Sequence, residues 1–209
     1  KGDYSLDYKE KEQMLSTGMT MHIDTLTAPE LNVRDASVSF ALNQLDARGY
    51  EDFMTLYTQT VNSTIQDIAE AQDDPEKMKT LMEQRMGGVG LQMIGIYEKM
   101  MKKGLELKIV DMKATLPEGK VEGDLSFVLT QDITFAQIGP VTQKPDLAFS
   151  LFSLDSNLAF PAKLAQDSPM LTAPLFPGMQ TGIFIQDGSM LRHQAKTEDG
   201  TLVLNGHKI

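Results

Sequence analysis

The sequence predicts an α+β fold, a twisted antiparallel β-sheet packed against helical hairpins, on three observations. Apolar residues alternate at period two near the start, middle and end of the chain. Two long central segments switch to a period of three to four, and turn residues separate successive alternating runs. The 209 residues suffice for one unit with its own core, taken here as a single domain over 1–209.

The N-terminal strands fall within 1–34, where Tyr4, Leu6 and Tyr8, then Met19, Met21 and Ile23, are spaced by two. Val38, Phe40 and Leu42 repeat the pattern and lead into Leu42-Asn43-Gln44-Leu45-Asp46, where Asp46 caps a helix beginning near Gly49. Phe53, Tyr57, Val61, Ile65 and Ile68 then lay one apolar stripe along about five turns. At Asp74-Pro75-Glu76 the chain restarts a helix, with aspartate as N-cap, proline at the first position and glutamate at the positive end of the dipole. This second helix carries Met78, Leu81, Met82, Met86, Val89, Met93, Ile96, Tyr97 and Met100, and closes at Lys102-Lys103-Gly104. Gly87, Gly88 and Gly90 weaken its middle and mark a kink or a close approach to a neighbouring element.

From Leu105 the period returns to two, and Pro117-Glu118-Gly119-Lys120 turns the chain into a return run over Val121 to Leu129. Residues 130–144 read as a connector punctuated by Gly139-Pro140. The second half echoes the first: Phe149-Ser150-Leu151-Phe152-Ser153-Leu154-Asp155 follows Phe40-Ala41-Leu42-Asn43-Gln44-Leu45-Asp46, and Glu198-Asp199-Gly200 follows the earlier hairpin tip. Two pseudo-repeats of strand, helices and β-hairpin result, over about 35–129 and 145–206, with a helical segment expected after Asp155 as after Asp46.

Composition narrows the function classes. Twenty-nine acidic against 19 basic side chains give a net charge of −10, which repels phosphate backbones and disfavours nucleic acid as a partner. The uncharged window Ser168 to Gln186 approaches membrane-spanning length but contains three prolines, so a loop and a short buried helix are expected there. His22, His193 and His207 lack zinc-site spacing and no cysteine can assist them; no metal or other cofactor is expected. No G-x-S-x-G elbow or S-x-x-K motif is present, and Gly90 to Gly95 lies inside an apolar helical run rather than after a strand. Asp46 and Asp155 serve as helix caps, or alternatively as a carboxylate pair for acid and base work. Asp67, Glu70, Asp73 and Asp74 form a solvated acidic turn without EF-hand spacing.

Methionine is the compositional oddity, with 14 residues, six of them between Met78 and Met101. Such side chains fill irregular cores, adapt to varied apolar partners, or at four-residue steps offer thioethers to Cu(I). With Phe176 and Phe184 in the low-charge segment, Met82, Met86 and Met93 define a candidate surface for an apolar ligand or partner. Exposed edge strands and an apolar helix face also invite a homodimer.

Several stretches resemble the C-terminal portion of the YdgA-like (DUF945) family: Leu42 to Asp46, Asp74-Pro75-Glu76-Lys77, Lys102 to Ile109, Gly119-Lys120-Val121-Glu122-Gly123 and Gly200 to Gly206. The resemblance implies a bacterial envelope protein, held at the inner membrane by an N-terminal anchor outside these 209 residues, with this part in the periplasm. It carries over no catalytic residue. The expectation is therefore a non-enzymatic domain that binds an envelope protein or an apolar ligand such as lipid. An envelope enzyme using carboxylates and a structural spacer are the alternatives.

Overall fold

The computed structural model describes residues 1–28, 31–71, 74–167 and 169–209, with side chains apart from those of 28, 31, 84–86, 138, 145, 165–167 and 169–174. Among the described residues ten strands form one antiparallel sheet: β1 (Gly2–Lys9), β2 (Met14–Ala28), β3 (Leu31–Asp46), β4 (Glu106–Leu116), β5 (Gly119–Leu129), β6 (Phe152–Pro161), β7 (Ile185–Asp187), β8 (Met190–Glu198), β9 (Thr201–Leu204) and β10 (His207–Lys208). Their spatial order is β1-β2-β3-β4-β5-β6-β8-β9-β10, with β7 paired to β8. Helices α1 (Ala47–Ala71) and α2 (Pro75–Met100) join β3 to β4; α3 (Phe135–Gln143) and a 3-10 segment (Pro145–Ser150) join β5 to β6; α4 (Ala162–Asp167) and α5 (Pro169–Gln180) precede β7.

Local chemistry explains the turns. Asp199-Gly200 and Asn205-Gly206 both adopt positive φ at the two central positions, the geometry that matches the twist of a two-residue hairpin. The long strands β3 and β4 bend at bulges, where Asp35, Gln44 and Asp111 have φ of 49°, 57° and 52° and the pairing register slips by one residue.

Asp46 ends β3 and accepts from the Gly49 amide at 2.7 Å, while Asp74 accepts from the Glu76 and Lys77 amides at 3.0 and 3.2 Å. The two long helices pack along one another, and β3 is the strand both touch. α1 buries Gly49, Leu56, Asp67 and Ala71. Most of the predicted stripe lies off this buried face: Tyr57, Ile65 and Ile68 remain more than half exposed, while Phe53 is half-buried.

Four expectations are corrected. Residues 135–143 form a helix rather than a connector, because the Gln137 side chain reaches back to accept from the Thr134 amide at 2.7 Å. Asp155 caps nothing: it lies within β6 opposite Ser126 and Lys196, and the next helix starts only at Ala162. A Cβ added at Gly87, Gly88 or Gly90 meets nothing within 4 Å, so these glycines mark no close approach, and α2 runs unbroken through them. Asp67 is not part of a solvated turn but buried at 5% exposure; Asp73 of that turn lies outside the described residues. Among the described residues no helix is long and apolar enough to cross a membrane.

Candidate binding surface

Cross-strand pairing aligns side chains across the whole sheet, because residues directly opposite share a face. One chain of partners runs Tyr4, Met19, Phe40, Ile109, Leu125, Ser156 and Ala195; a second runs Leu6, Thr17, Leu42, Leu107, Phe127 and Leu154. Neither row contains an Asp, Glu, Lys or Arg. The opposite face of the same strands carries Asp3, Asp7, Lys9, Glu106, Lys108, Glu122, Asp155 and Lys196. The period-two pattern thus sorts most of the sheet into one apolar face and one charged face, with Arg34, opposite Thr25, at the far end of the apolar one.

Only part of the apolar face is covered. At its β6–β8 end Phe160 and Leu191 are buried beneath Leu175 and Phe184, and the Phe160 and Phe184 rings meet edge to face at 5.8 Å. Near the 3-10 segment Phe152 packs against Phe127 at 4.8 Å and Phe149 at 6.1 Å. Over β1 and β2 nothing among the described residues covers it: Tyr4 is 70% exposed and Leu6 63%, and Met19, Met21 and Ile23 are all exposed. At the boundary between the two regions lies a depression of about 280 Å³, lined by Ile109, Met112, Leu125, Leu158, Phe184 and His193, with Asp124, Ser156 and Asn157 among its polar residues. His193 Nδ1 lies 2.9 Å from the Ile183 carbonyl oxygen and its ring sits 5.6 Å from Phe184.

A second cleft, of about 460 Å³, lies between the end of α2 and the start of α3. Gly90, Met93, Ile94, Tyr97, Met101, Ile133 and Phe135 line it, with Glu98 and Thr134 as its polar groups. Glu98 is committed, since its carboxylate accepts from the Phe135 amide at 2.7 Å. Next to the lining residue Ile133, the Asp132 carboxylate accepts from the Lys103 amide at 2.9 Å and from Lys102 Nζ at 3.0 Å. Those two bonds hold the Asp132 carboxyl below the usual carboxylate range, the Lys103 amide contributing most. Burial acts to raise the Glu106 carboxyl on the charged face, but hydrogen bonds from Lys108 and Asn43 outweigh it and leave it lowered.

The family model described as a bacterial protein of unknown function, DUF945, matches residues 3–209. The chain belongs to the DUF945 family. Searches of the curated proteins and of the solved structures return no match.

Within this DUF945 chain the five residues singled out from sequence are not brought together. Met93 lines the cleft beside α3, and Phe184 lines the depression on the sheet. Met82 is 48% exposed in a shallow hollow with Pro75, Met78, Lys79 and Glu83, and Phe176 is 59% exposed on α5. The Met86 side chain lies outside the described residues. Among the described residues no group of three His, Asp or Glu side chains is placed to hold a metal ion. Nor do Asp46 and Asp155 form a pair: β4 and β5 lie between their strands, a separation of roughly 14 Å along the sheet. The uncovered sheet face was missed as a site in the sequence, although its residues were identified as alternating. Its signal was the absence of charge from every apolar phase at once.

Proposed function

We propose that this DUF945 chain is a non-enzymatic binding domain that takes up an apolar occupant, a partner protein or a lipid, on the uncovered face of its sheet. In this reading it is the periplasmic part of a bacterial envelope protein anchored to the inner membrane. The observation that carries the binding reading is the run of exposed apolar side chains Tyr4, Leu6, Met19, Met21 and Ile23 on one face of the sheet. The chain exposes 13954 Å², whereas a compact monomer of 23.1 kDa exposes roughly 9,700 Å² by the usual size scaling. Contiguous apolar patches of this kind on a folded protein mark interaction sites.

The apolar rows select for occupants without charge at the contact, because burying an unpaired ion there is costly. The test is native mass spectrometry of the protein gently purified from envelope material, alongside a variant carrying Met19→Asp and Met21→Asp. The wild type is expected to co-release an apolar molecule or partner and the variant to release none, with unchanged far-UV circular dichroism. Equal retention by both proteins would sink the assignment of the occupant to this face.

A further inference from the structure

The depression between the covered and open parts of the apolar face holds two polar side chains with bonding capacity to spare. His193 Nδ1 lies 2.9 Å from the Ile183 carbonyl oxygen, which can only accept, so Nδ1 carries the ring proton. In the neutral ring Nε2 is then an acceptor. Leu158 stands opposite His193 and Ser156 opposite Ala195, which makes Ser156 the diagonal neighbour of His193 across β6 and β8. Diagonal neighbours share a face with Cβ atoms about 7 Å apart, a span that one hydroxyl oxygen can bridge between Oγ and Nε2. Both residues line the depression. Among the described residues neither Ser156 Oγ nor His193 Nε2 has a hydrogen-bond partner in the protein, and neither is sealed from solvent.

The surroundings hold this pair in place. Asn205 Nδ2 donates to the Gly182 and Ile183 carbonyls at 2.7 and 3.2 Å, while its Oδ1 accepts from the Gln194 amide at 2.8 Å. The segment that supplies the acceptor for His193 is thereby tied to β8. Phe184 packs edge to face on Phe160 and lies 5.6 Å from the His193 ring, so tether and packing together fix the imidazole. Asp124 is the charged residue of the lining, and no Lys or Arg among the described residues joins it there. A carboxylate or phosphate head group would meet that negative charge, on a chain of net charge −10, with no lysine or arginine to pair it. An uncharged hydroxyl satisfies both free groups: its O–H donates to Nε2 and its oxygen accepts from the Ser156 hydroxyl.

From Ser156 the apolar row runs through Leu125, Ile109 and Phe40 to Met19, roughly 19 Å across four strand spacings. We propose that the depression is a head-group site for an uncharged lipid bearing a free hydroxyl, bonded between Ser156 and His193, with its hydrocarbon tail laid along this row. The path of the tail rests on the binding reading given above, to which the head-group site adds a ligand class. A few polar groups placed in an otherwise apolar recess fix the orientation of a ligand in this way.

The test is titration of the full-length protein, ¹⁵N-labelled at histidine, with 1-octanol, octyl methyl ether and octanoate at pH 8, followed through the His193 Nε2 resonance. 1-Octanol is expected to move that resonance and to bind about tenfold more tightly than octyl methyl ether, which accepts from Ser156 but has no proton for Nε2. Octanoate is expected to bind more weakly than 1-octanol. Ser156→Ala weakens alcohol and ether alike by about threefold and keeps their ratio, whereas His193→Phe brings the ratio to about one. If His193→Phe loses the fold, ether binding disappears with it, and the wild-type ratio and resonance decide. Equal affinities for alcohol and ether in the wild type, binding that leaves Nε2 unmoved, tighter binding of octanoate, or no binding would overturn the proposal. Release of an apolar occupant in the native mass spectrum without an alcohol preference would remove the head-group site and leave the binding face. An alcohol preference without any released occupant would do the reverse.

Discussion

Glycine has opposite meanings at two places in the helical hairpin. At Gly49 an added Cβ would sit 2.8 Å from Met100 Cγ and 3.2 Å from the Met100 backbone nitrogen, so α1 and the end of α2 approach each other through that missing side chain. Gly95 faces open space, where a methyl group meets nothing within 4 Å. Gly49→Val therefore overpacks the crossing and is expected to lower stability by about 2 kcal/mol. Gly95→Ala removes backbone freedom from the unfolded chain at no steric cost and is expected to raise stability by about 0.7 kcal/mol. Urea midpoints of the two variants check this, and equal shifts of the same sign would contradict the packing described. Sequence alone does not separate Gly49 from Gly95, because helical spacing shows where a residue sits on a helix but not what lies opposite it. Asp46 and Asp155 differ for the same reason: matching local residues surround both, yet β6 continues for six residues past Asp155 while β3 stops at Asp46.

At the scale of elements, the joint between α2 and the β5 exit is held by charge. Asp132 stands among Lys102, Lys103 and the carbonyl of Met101, which accepts from the Ile133 amide at 2.9 Å. Its folded-state carboxyl is lowered, so the carboxylate contributes stability above the unfolded value near 3.9 and loses it as pH falls through the lower folded value. Replacing Asp132 by Asn keeps an acceptor for the Lys103 amide and removes the charge. The variant is expected to be less stable by roughly half a kcal/mol at neutral pH, since the side chain is 53% exposed and solvent screens the pair. That gap should close below about pH 4; thermal melts at pH 7 and pH 3 measure it, and a pH-independent gap would rule out the charge as its cause. Element identity was largely visible in advance: alternation marked β1 to β3, and Asp74-Pro75-Glu76 marked the start of α2. The bulges also left a trace, since the apolar step lengthens from two to three between Ile109 and Met112 and between Leu42 and Leu45. Helix α3 and strand β10 were missed despite the signals Thr134-Phe135-Ala136-Gln137 and Asn205-Gly206, because each occupies a segment too short for periodicity to register.

For the molecule as a whole, the strand–helices–hairpin order spans β3 to β5 and again β6 to β9, and we retain internal duplication as a proposal resting on that order. Alternation predicted an apolar face, but whether another layer covers it is a long-range property that no local pattern records. The uncovered face has a thermodynamic consequence independent of any ligand. Denaturant sensitivity scales with the surface newly exposed on unfolding, and a chain that already exposes 13954 Å² has less left to expose. Against an unfolded surface that grows linearly with mass, the newly exposed area is roughly one-fifth smaller than for a compact monomer of equal size. The urea m-value of the purified, unoccupied chain is therefore expected to fall about one-fifth below that of compact proteins of 209 residues, with a parallel reduction in heat-capacity change. Filling the apolar face moves both quantities back toward the compact value, because the occupant's release then adds to the area exposed. An m-value already at the compact level in the empty, monomeric chain would mean that the face is closed by the chain itself in solution, and the binding reading would fail with it.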